Sequence, residues 1–287
     1  GSDCAMVVAA GRFAAQTKKN FAGTICVSGT VHEECFEGVA PREVTKRVKP
    51  DFVIVGEATS TSIKIGQRGR AEVVVETEGV SCHSSNPEKG VNAVYGMMAV
   101  IEEIRKIVPN EHPLLGRGIL ELTDIVSAPY PGASVVPAAC RATFDRRTLV
   151  GEDEAVILGQ VEEAIARAQE KHPEIKARCY LATGTEACWT GDTISAKRYF
   201  PAWVVDENSE LVVKARRGLE AAGIDAPLSH FSFCTNGSSF CGEAGIPTIG
   251  YGPSLESLAH VRDEYIEISQ LTKACRGFAS ILAELTR

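Results

Sequence analysis

The sequence predicts an α/β protein whose sheet domain is interrupted by a smaller, inserted α+β domain. Two stretches, 23–29 and 51–57, are continuous, mainly apolar runs that lead into acidic residues. Such runs, unlike alternating ones, are typical of parallel strands covered on both faces. Between about 63 and 198 the pattern changes to alternating strands and amphipathic helices, and the first pattern then returns. The predicted domains are therefore 1–62 joined to 199–287, with 63–198 inserted.

The composition argues against several classes of protein. A chain of 287 residues is long enough for two domains. The net charge of −7 and the lack of a basic stripe argue against a nucleic-acid partner, and no apolar run is long enough for a membrane span. None of the ten cysteines forms a C-x-x-C pair, and Cys26, Cys140 and Cys179 lie in apolar runs, where free thiols behave as small hydrophobic side chains. We expect reduced cysteines and a cytoplasmic location.

The outer domain is predicted to contain four elements before the insertion and four after it. The first four are helix, buried strand, short helix and buried strand, over 5–15, 23–29, 42–48 and 51–57. The last four are a helix ending at Gly223, a short helix ending at Gly245, a strand and a long terminal helix, over 208–222, 237–244, 246–252 and 265–285. Apolar residues at helical spacing, from Ile268 to Leu285, predict one buried face on the terminal helix.

The inserted domain follows a β-α-β-β-α-β order. Its elements are predicted over 71–78, 91–107, 118–126, 138–147, 152–171 and 174–181. In the first strand Val73 and Val75 alternate with acidic residues, which is the pattern of a half-buried strand. The order is that of the ferredoxin-like split βαβ arrangement, and the segment has the length of one small domain.

Glu33 and Glu34 are adjacent carboxylates that follow the first predicted strand. Neighbouring carboxylates repel each other, and burying them without a partner is costly. If both lie at the end of a buried strand, a metal ion is the simplest partner for them. A solvated turn between a strand and a helix is the alternative interpretation.

Three further residues are expected at the same edge of the sheet. Glu57 ends the second predicted strand, His260 follows a later one, and Asp3 lies at the start of the chain. Sites in α/β sheets form at the carboxyl ends of the strands. Carboxylates with one imidazole suit zinc, cobalt or manganese, and a shared carboxylate would make a two-metal hydrolytic site. The alternatives are an ordinary strand-end acid for Glu57, a helix-entry or core histidine for His260 and a disordered terminus for Asp3.

A series of motifs, in the same order over nearly the whole chain, resembles the M20 family of metallopeptidases and amidohydrolases. This group contains succinyl-diaminopimelate desuccinylase and acetylornithine deacetylase. The motifs are Gly1–Asp3, Gly29–Glu34, Val55–Thr59, Gly66–Arg70, Gly79–Ala93, Asp145–Arg147, Gly250–Pro253 and Ala259–Val261. The resemblance implies a zinc-peptidase-like catalytic domain with an inserted ferredoxin-like lid and dimerisation domain. Gln67–Arg70 and Tyr199–Trp203 are most similar to the selenium-metabolism hydrolase branch.

The resemblance implies two zinc ions per subunit, with cobalt or manganese as alternatives. Asp3 would bridge the ions, and Glu57 would bind one of them. Glu34 and His260 would bind the other, and Glu33 would be the general base. The family also has a histidine ligand upstream of the bridging aspartate. No residue precedes Gly1 in this sequence, so the resemblance implies that an N-terminal part is missing.

Three residues of the inserted domain are also implied as functional. His83 would reach the site of the partner subunit across a homodimer and stabilise the tetrahedral oxyanion. Arg147 would pair with a carboxylate of a small-molecule substrate, and Asn92 would assist. The alternatives are a surface turn for His83 and a strand-end salt bridge for Arg147.

The predicted function is metal-dependent hydrolysis of an amide bond in a small amino-acid derivative, such as an N-acyl amino acid or a dipeptide. One alternative is an inactive, N-terminally shortened form. The other is a dimeric ligand-binding or regulatory protein. Glu33 distinguishes these hypotheses, because a protein that only binds has no need of a base beside the ligand Glu34.

Overall fold

The chain divides into two compact units. The computed structural model describes residues 2–287, so Gly1 of the first motif lies outside the described part. The first unit, called the outer unit here, contains the chain up to Gly69 together with Pro113–Leu115 and Phe200–Arg287. The second, called the inserted unit, contains Arg70–His112 and Gly116–Tyr199.

Helices and strands alternate along the described residues. The α-helices are α1 (Ser2–Gln16), α2 (Pro41–Val48), α3 (Ala93–Ile104), α4 (Glu154–Lys171), α5 (Glu210–Ala221) and α6 (Ile268–Leu285). The strands are β1 (Val53–Val55), β2 (Ile63–Gln67), β3 (Gly69–Glu78), β4 (Glu111–His112), β5 (Gly116–Arg117), β6 (Ile119–Ala128), β7 (Ala139–Thr148), β8 (Lys176–Leu181), β9 (Thr183–Ala187), β10 (Thr193–Lys197), β11 (Tyr199–Phe200), β12 (Trp203–Val204), β13 (Leu228–Phe231) and β14 (Thr248–Gly250). Short 3₁₀ turns cover Pro87–Lys89 and Glu256–Leu258, and a π-helical turn covers Ser238–Glu243.

The outer unit is built on a five-stranded sheet with the order β1–β14–β2–β12, in which β13 also pairs with β2. β1 runs parallel to β14, with Val53 opposite Thr248 and Val55 opposite Gly250. The run 51–57 therefore does contain a parallel strand, as predicted, but its partner is β14 rather than the run 23–29. β13 is parallel to β2, whereas β12 and β14 are antiparallel to it.

The terminal helix α6 packs against α1 and α5. Its inner face contributes Ala274, Phe278 and Ile281 to the core. α5 and α6 approach each other closely at Gly218, because a Cβ atom there would lie 2.5 Å from the carbonyl oxygen of Ser280. Glycine is the residue type that permits such a close approach.

The inserted unit contains a second five-stranded sheet. Its order is β11–β3–β7–β6, and β8 pairs with β3. The pairs β3–β8 and β6–β7 are antiparallel. The predicted β-α-β-β-α-β order is confirmed by β3, α3, β6, β7, α4 and β8. α3 and α4 pack on this sheet around Val73, Met97 and Phe144. Two small hairpins, β4–β5 and β9–β10, were not predicted.

The strand predicted over 23–29 was wrong. These residues form no strand, most of them are exposed, and Cys26 is exposed rather than packed in a core. A strand needs hydrogen-bonding partners on a neighbouring strand, and no described strand pairs with residues 23–29. An apolar run by itself is therefore not enough to predict a strand.

Two further expectations for the outer unit were wrong. Ile268 was predicted on the buried face of the last helix, but it is 80% exposed because it is the first residue of α6. β2 was not predicted at all, although it pairs with three other strands of the sheet. Separately, each helix within residues 2–287 is too short or too polar to cross a membrane.

Candidate metal and catalytic site

Glu33 and Glu34 lie on a tight turn between Thr30 and Gly38. The amide of Phe36 donates to the carbonyl oxygens of His32 (2.9 Å) and Glu33 (3.2 Å), which closes the turn. Phe36 is fully buried and fixes the turn to the outer unit. Glu33 is half-buried, whereas Glu34 is exposed. The two neighbouring carboxylates therefore lie in different surroundings.

Glu57 lies two residues after Val55, which ends β1. Its amide donates to the carbonyl oxygen of Val55, which also accepts from the amide of Tyr251 (3.0 Å) at the end of β14. A Cβ atom at Gly252 would lie 2.3 Å from the carbonyl oxygen of Glu57. The close approach of the two strand ends thus holds the backbone of Glu57 at the carboxyl edge of the sheet.

Asp3 and His260 reach the site from the two ends of the chain. Asp3 lies in the first turn of α1, so this part of the chain is helical. His260 adopts a positive φ of 61°, and its amide donates to a carboxylate oxygen of Glu264. Its Nε2 lies 3.3 Å from Oε2 of Glu34, and both side chains are exposed. The imidazole and the carboxylate therefore face each other at the surface of the outer unit.

Burial and like charges together raise the pKa values of two of these carboxyl groups. For Glu33, burial is the largest cause, followed by Glu57 and Glu34, and the pKa rises to about 8. For Glu57, burial followed by the charges of Asp3 and Glu34 raises the pKa to about 7. The carboxylates thus lie within electrostatic reach of one another, and a bound cation would relieve their repulsion.

The donor atoms of this group fit a divalent transition-metal ion, because carboxylates with one imidazole are ordinary ligands of zinc, cobalt and manganese. Glu34 and His260 are the pair in direct contact. Within residues 2–287, no three His, Cys, Asp or Glu side chains are arranged closely enough to enclose an ion. The structure therefore brings Asp3, Glu33, Glu34 and Glu57 together with His260 as a group, in a looser arrangement than a closed ligand cage.

The other three predicted residues belong to the inserted unit. The amide of Ser85 donates to Nδ1 of His83 (3.1 Å), so the neutral ring carries its proton on Nε2. Oδ1 of Asn92 accepts from the amide of Val94 (2.9 Å) and caps α3. Arg147 pairs with Asp145 at 3.1 Å, as in the salt-bridge alternative, and remains 27% exposed. Asn92 thus has a structural role as the cap of α3, and its predicted role in substrate binding stays a prediction.

Lys64 of β2 supports the site, and the sequence did not predict this role. Lys64 is 10% exposed, lies 2.7 Å from Glu256, and donates to the carbonyl oxygen of His230 (3.0 Å). Glu256 begins the short helical turn that precedes His260, and Ser232 also donates to it. Buried Lys64 thus holds the segment that leads to His260. The available signal was a lysine and a glutamine within the apolar run 63–67.

Comparisons with known proteins agree with this architecture. The family model for the M20 peptidase dimerisation domain matches residues 65–173. An uncharacterised protein of Escherichia coli K12, YgeY, is 32% identical over 263 residues, which cover 90% of this chain and 64% of that protein. The acetylornithine deacetylase of Buchnera aphidicola is 25% identical over 259 residues, which cover 88% of this chain and 62% of that enzyme.

A solved structure shares the fold. The aminopeptidase PepT of Bacillus cereus superposes with a TM-score of 0.74 at 18% identity, covering 99% of this chain and 70% of that chain. The chain spans less than two thirds of the length of the two curated relatives above. Residues 65–173 therefore match an M20 peptidase dimerisation domain, and the chain as a whole is similar in sequence to an acetylornithine deacetylase and in fold to an aminopeptidase.

Proposed function

We propose that this protein is a metal-dependent hydrolase that cleaves an amide bond in a small amino-acid derivative, such as an N-acyl amino acid or a dipeptide. The observation that carries the proposal is the gathering of Glu33, Glu34, Glu57 and Asp3 with His260 at the carboxyl edge of the outer sheet. The match to the M20 dimerisation domain supports the same class of reaction, and so does the similarity to a relative named acetylornithine deacetylase.

Two zinc ions are the proposed cofactors, with cobalt or manganese as alternatives. Glu34 and His260 would hold one ion, and their contact of 3.3 Å supports this assignment. Glu57 would hold the other ion, and Asp3 would bridge both. When bound, the ions would polarise the substrate carbonyl and lower the pKa of the attacking water.

Glu33 is proposed as the general base. It would take a proton from the attacking water and give it to the amine that leaves when the amide bond breaks. A half-buried carboxyl group whose pKa is raised to about 8 in the absence of cations binds a proton more strongly than an ordinary glutamate does. Glu34, which is exposed and faces His260, is better suited to the role of ligand.

The inserted unit would complete the site in a homodimer. His83 would stabilise the oxyanion in the site of the partner subunit, using the proton on Nε2. Arg147 would bind a substrate carboxylate, for which its planar guanidinium is suited, and Asn92 would assist with its side-chain amide. The match of residues 65–173 to a peptidase dimerisation domain supports the homodimer.

Substitution of the two adjacent glutamates tests the proposal. We expect Glu33→Gln to keep zinc affinity but to lose about 10²–10⁴-fold in turnover, because the base is removed and the ligands remain. We expect Glu34→Gln to lose zinc affinity. Zinc binding is measured by calorimetry, and turnover is measured with N-acyl amino acids, dipeptides and carbamoyl amino acids. The control is Glu207→Gln, which changes an exposed glutamate of the outer unit.

The outcomes separate the hypotheses. Failure of the wild-type protein to bind any transition-metal ion contradicts the proposed site. Substrate binding without turnover, unchanged by Glu33→Gln, favours the dimeric ligand-binding alternative. Equal loss of zinc affinity in both variants contradicts the division of roles between Glu33 and Glu34.

A further inference from the structure

Asn236 contacts both ends of the turn that carries Glu33 and Glu34. Its side-chain Nδ2 donates to Oγ1 of Thr30 at 3.0 Å. Its Oδ1 accepts from the amide of Gly38 at 3.1 Å. The two bonds therefore bracket the turn, one before the glutamates and one after them. A single asparagine closes the turn from a position about 200 residues later in the sequence.

The C-terminal end of the turn, at Gly38, packs against Ser239 in the segment that follows Asn236. Gly38 has a φ of +102°, a conformation that favours glycine, and a Cβ atom there would lie 3.1 Å from Cβ and N of Ser239. Phe36, two residues earlier, is fully buried. The hydrogen bond from Gly38 to Asn236 is thus made where the two backbones already meet closely.

The residues on either side of Asn236 are hydrogen-bonded to Gln67 of β2, which is fully buried. Oε1 of Gln67 accepts from the hydroxyl of Thr235 at 2.6 Å, and its Nε2 donates to Oγ of Ser238 at 3.0 Å. Thr235 also accepts from the amide of Gly237 at 3.0 Å. The residues before and after Asn236 are therefore fixed to the sheet, so that the asparagine is pre-organised rather than adaptable.

We propose that Asn236 is a positioning residue that sets the placement of Glu33 and Glu34, with Gln67 fixing Asn236 to the sheet. The expected effect on metal binding rests on the proposed function, because it assumes that Glu34 is a metal ligand. The ordering of the turn by Asn236 does not depend on that function. An amide suits the task because one side chain supplies both a donor for Thr30 and an acceptor for Gly38. Gln67 belongs to the sequence motif Gly66–Arg70, to which the proposed mechanism gives no other role.

Hydrogen exchange and zinc affinity of the whole chain test this inference. In Asn236→Ala we expect amide exchange over residues 31–38 to rise about tenfold, because the hydrogen bonds that close the turn are lost. Zinc affinity should fall about 10-fold to 100-fold, as for other residues that orient a metal ligand. Thr30→Val should reproduce part of both effects, and Thr30→Ser, which keeps the hydroxyl, should restore them.

The control is Asn208→Ala, which removes an exposed asparagine of the outer unit and should change neither measurement. If Asn236→Ala fails to fold, the comparison of Thr30→Val with Thr30→Ser decides, since Thr30 lies on the turn itself. Unchanged exchange over residues 31–38 overturns the inference. Increased exchange with unchanged zinc affinity also overturns it, because Asn236 would then order the turn without affecting metal binding by Glu34.

A failure of the proposed function gives a different result. If the wild-type chain binds no zinc, but exchange over residues 31–38 still rises in Asn236→Ala and Thr30→Val and returns in Thr30→Ser, the ordering of the turn by Asn236 is supported. In that case the metal role of Glu34 is lost. The two proposals can therefore fail separately.

Discussion

At the scale of single residues, burial separates side chains that the sequence places together. Glu33 is half-buried, whereas Glu34 is exposed and lies 3.3 Å from His260. Burial is also the largest cause of the raised pKa of Glu33. In the proposed mechanism this difference suits Glu33 to proton transfer, because a carboxyl group with a raised pKa binds a proton more strongly. The exposed Glu34 is instead open to His260.

Lys64 supports the other side of the site, and its ion pair with Glu256 gives a prediction. Because Lys64 is 10% exposed and Glu256 is 24% exposed, Lys64→Met leaves a carboxylate with little solvent and no cation. We expect a loss of about 1–3 kcal/mol in the free energy of unfolding, less than for a fully buried pair because Glu256 retains some solvent. Urea denaturation measures the loss.

The matched control for this change is Lys46→Met. Lys46 lies 2.7 Å from Glu43, but the two side chains are 70% and 59% exposed, so no measurable change in stability is expected. Lys64→Met combined with Glu256→Leu should recover part of the lost stability, because no unpaired charge remains. Equal effects of Lys64→Met and Lys46→Met would show that the burial of Lys64 contributes nothing.

At the scale of whole elements, the contact between α5 and α6 depends on Gly218. Replacing a glycine within a helix by alanine ordinarily stabilises the helix by about 0.5–1 kcal/mol. At Gly218 the added Cβ atom would meet the backbone of α6 at 2.5 Å, so Gly218→Ala should instead destabilise the protein by about 1–3 kcal/mol. Gly159 in α4 has no atom within 4 Å of a Cβ position, so Gly159→Ala should stabilise it. Thermal unfolding of both variants measures whether each substitution raises or lowers the stability. A gain in stability for Gly218→Ala would contradict the close packing of α5 and α6.

The elements also show how far the sequence determines the fold. Periodicity within a segment is a local property, and it predicted the order from β3 to β8 in the inserted unit. Strand pairing is not local, so the apolar run 23–29 was predicted as a strand although no described strand pairs with it. The same limit applies to the site. Among its acidic residues, Glu57 does follow a strand, whereas Glu33 and Glu34 were predicted from a strand that does not form. Lys64 and Gln67 contact residues more than 160 positions away, which no local pattern indicates.

At the scale of the whole molecule, the inserted unit has an edge suited to association. β6 is the last strand of its sheet and pairs only with β7 among the described residues. Three of its apolar side chains, those of Ile119, Ile125 and Val126, are 41–47% exposed. An open edge that carries exposed apolar residues is a favourable surface for adding a strand from a second chain. Because a two-fold axis brings the same edge of each chain together, we expect the homodimer to form through β6.

Charging this edge tests the dimer directly. In the variant Ile125→Lys with Val126→Lys, one lysine lies on each face of β6, and each would repel its counterpart across a two-fold axis. We expect the dissociation constant of the dimer to rise at least about tenfold, as for the loss of central interface residues. Sedimentation velocity over a concentration series measures it. Val108→Lys is the control, because Val108 is 72% exposed in the same unit but lies outside β6. If the double substitution leaves the dimer unaffected, the interface lies elsewhere. If the wild-type protein is a monomer, the assignment of His83 to the partner's site is contradicted, since that histidine would have no second subunit to act on.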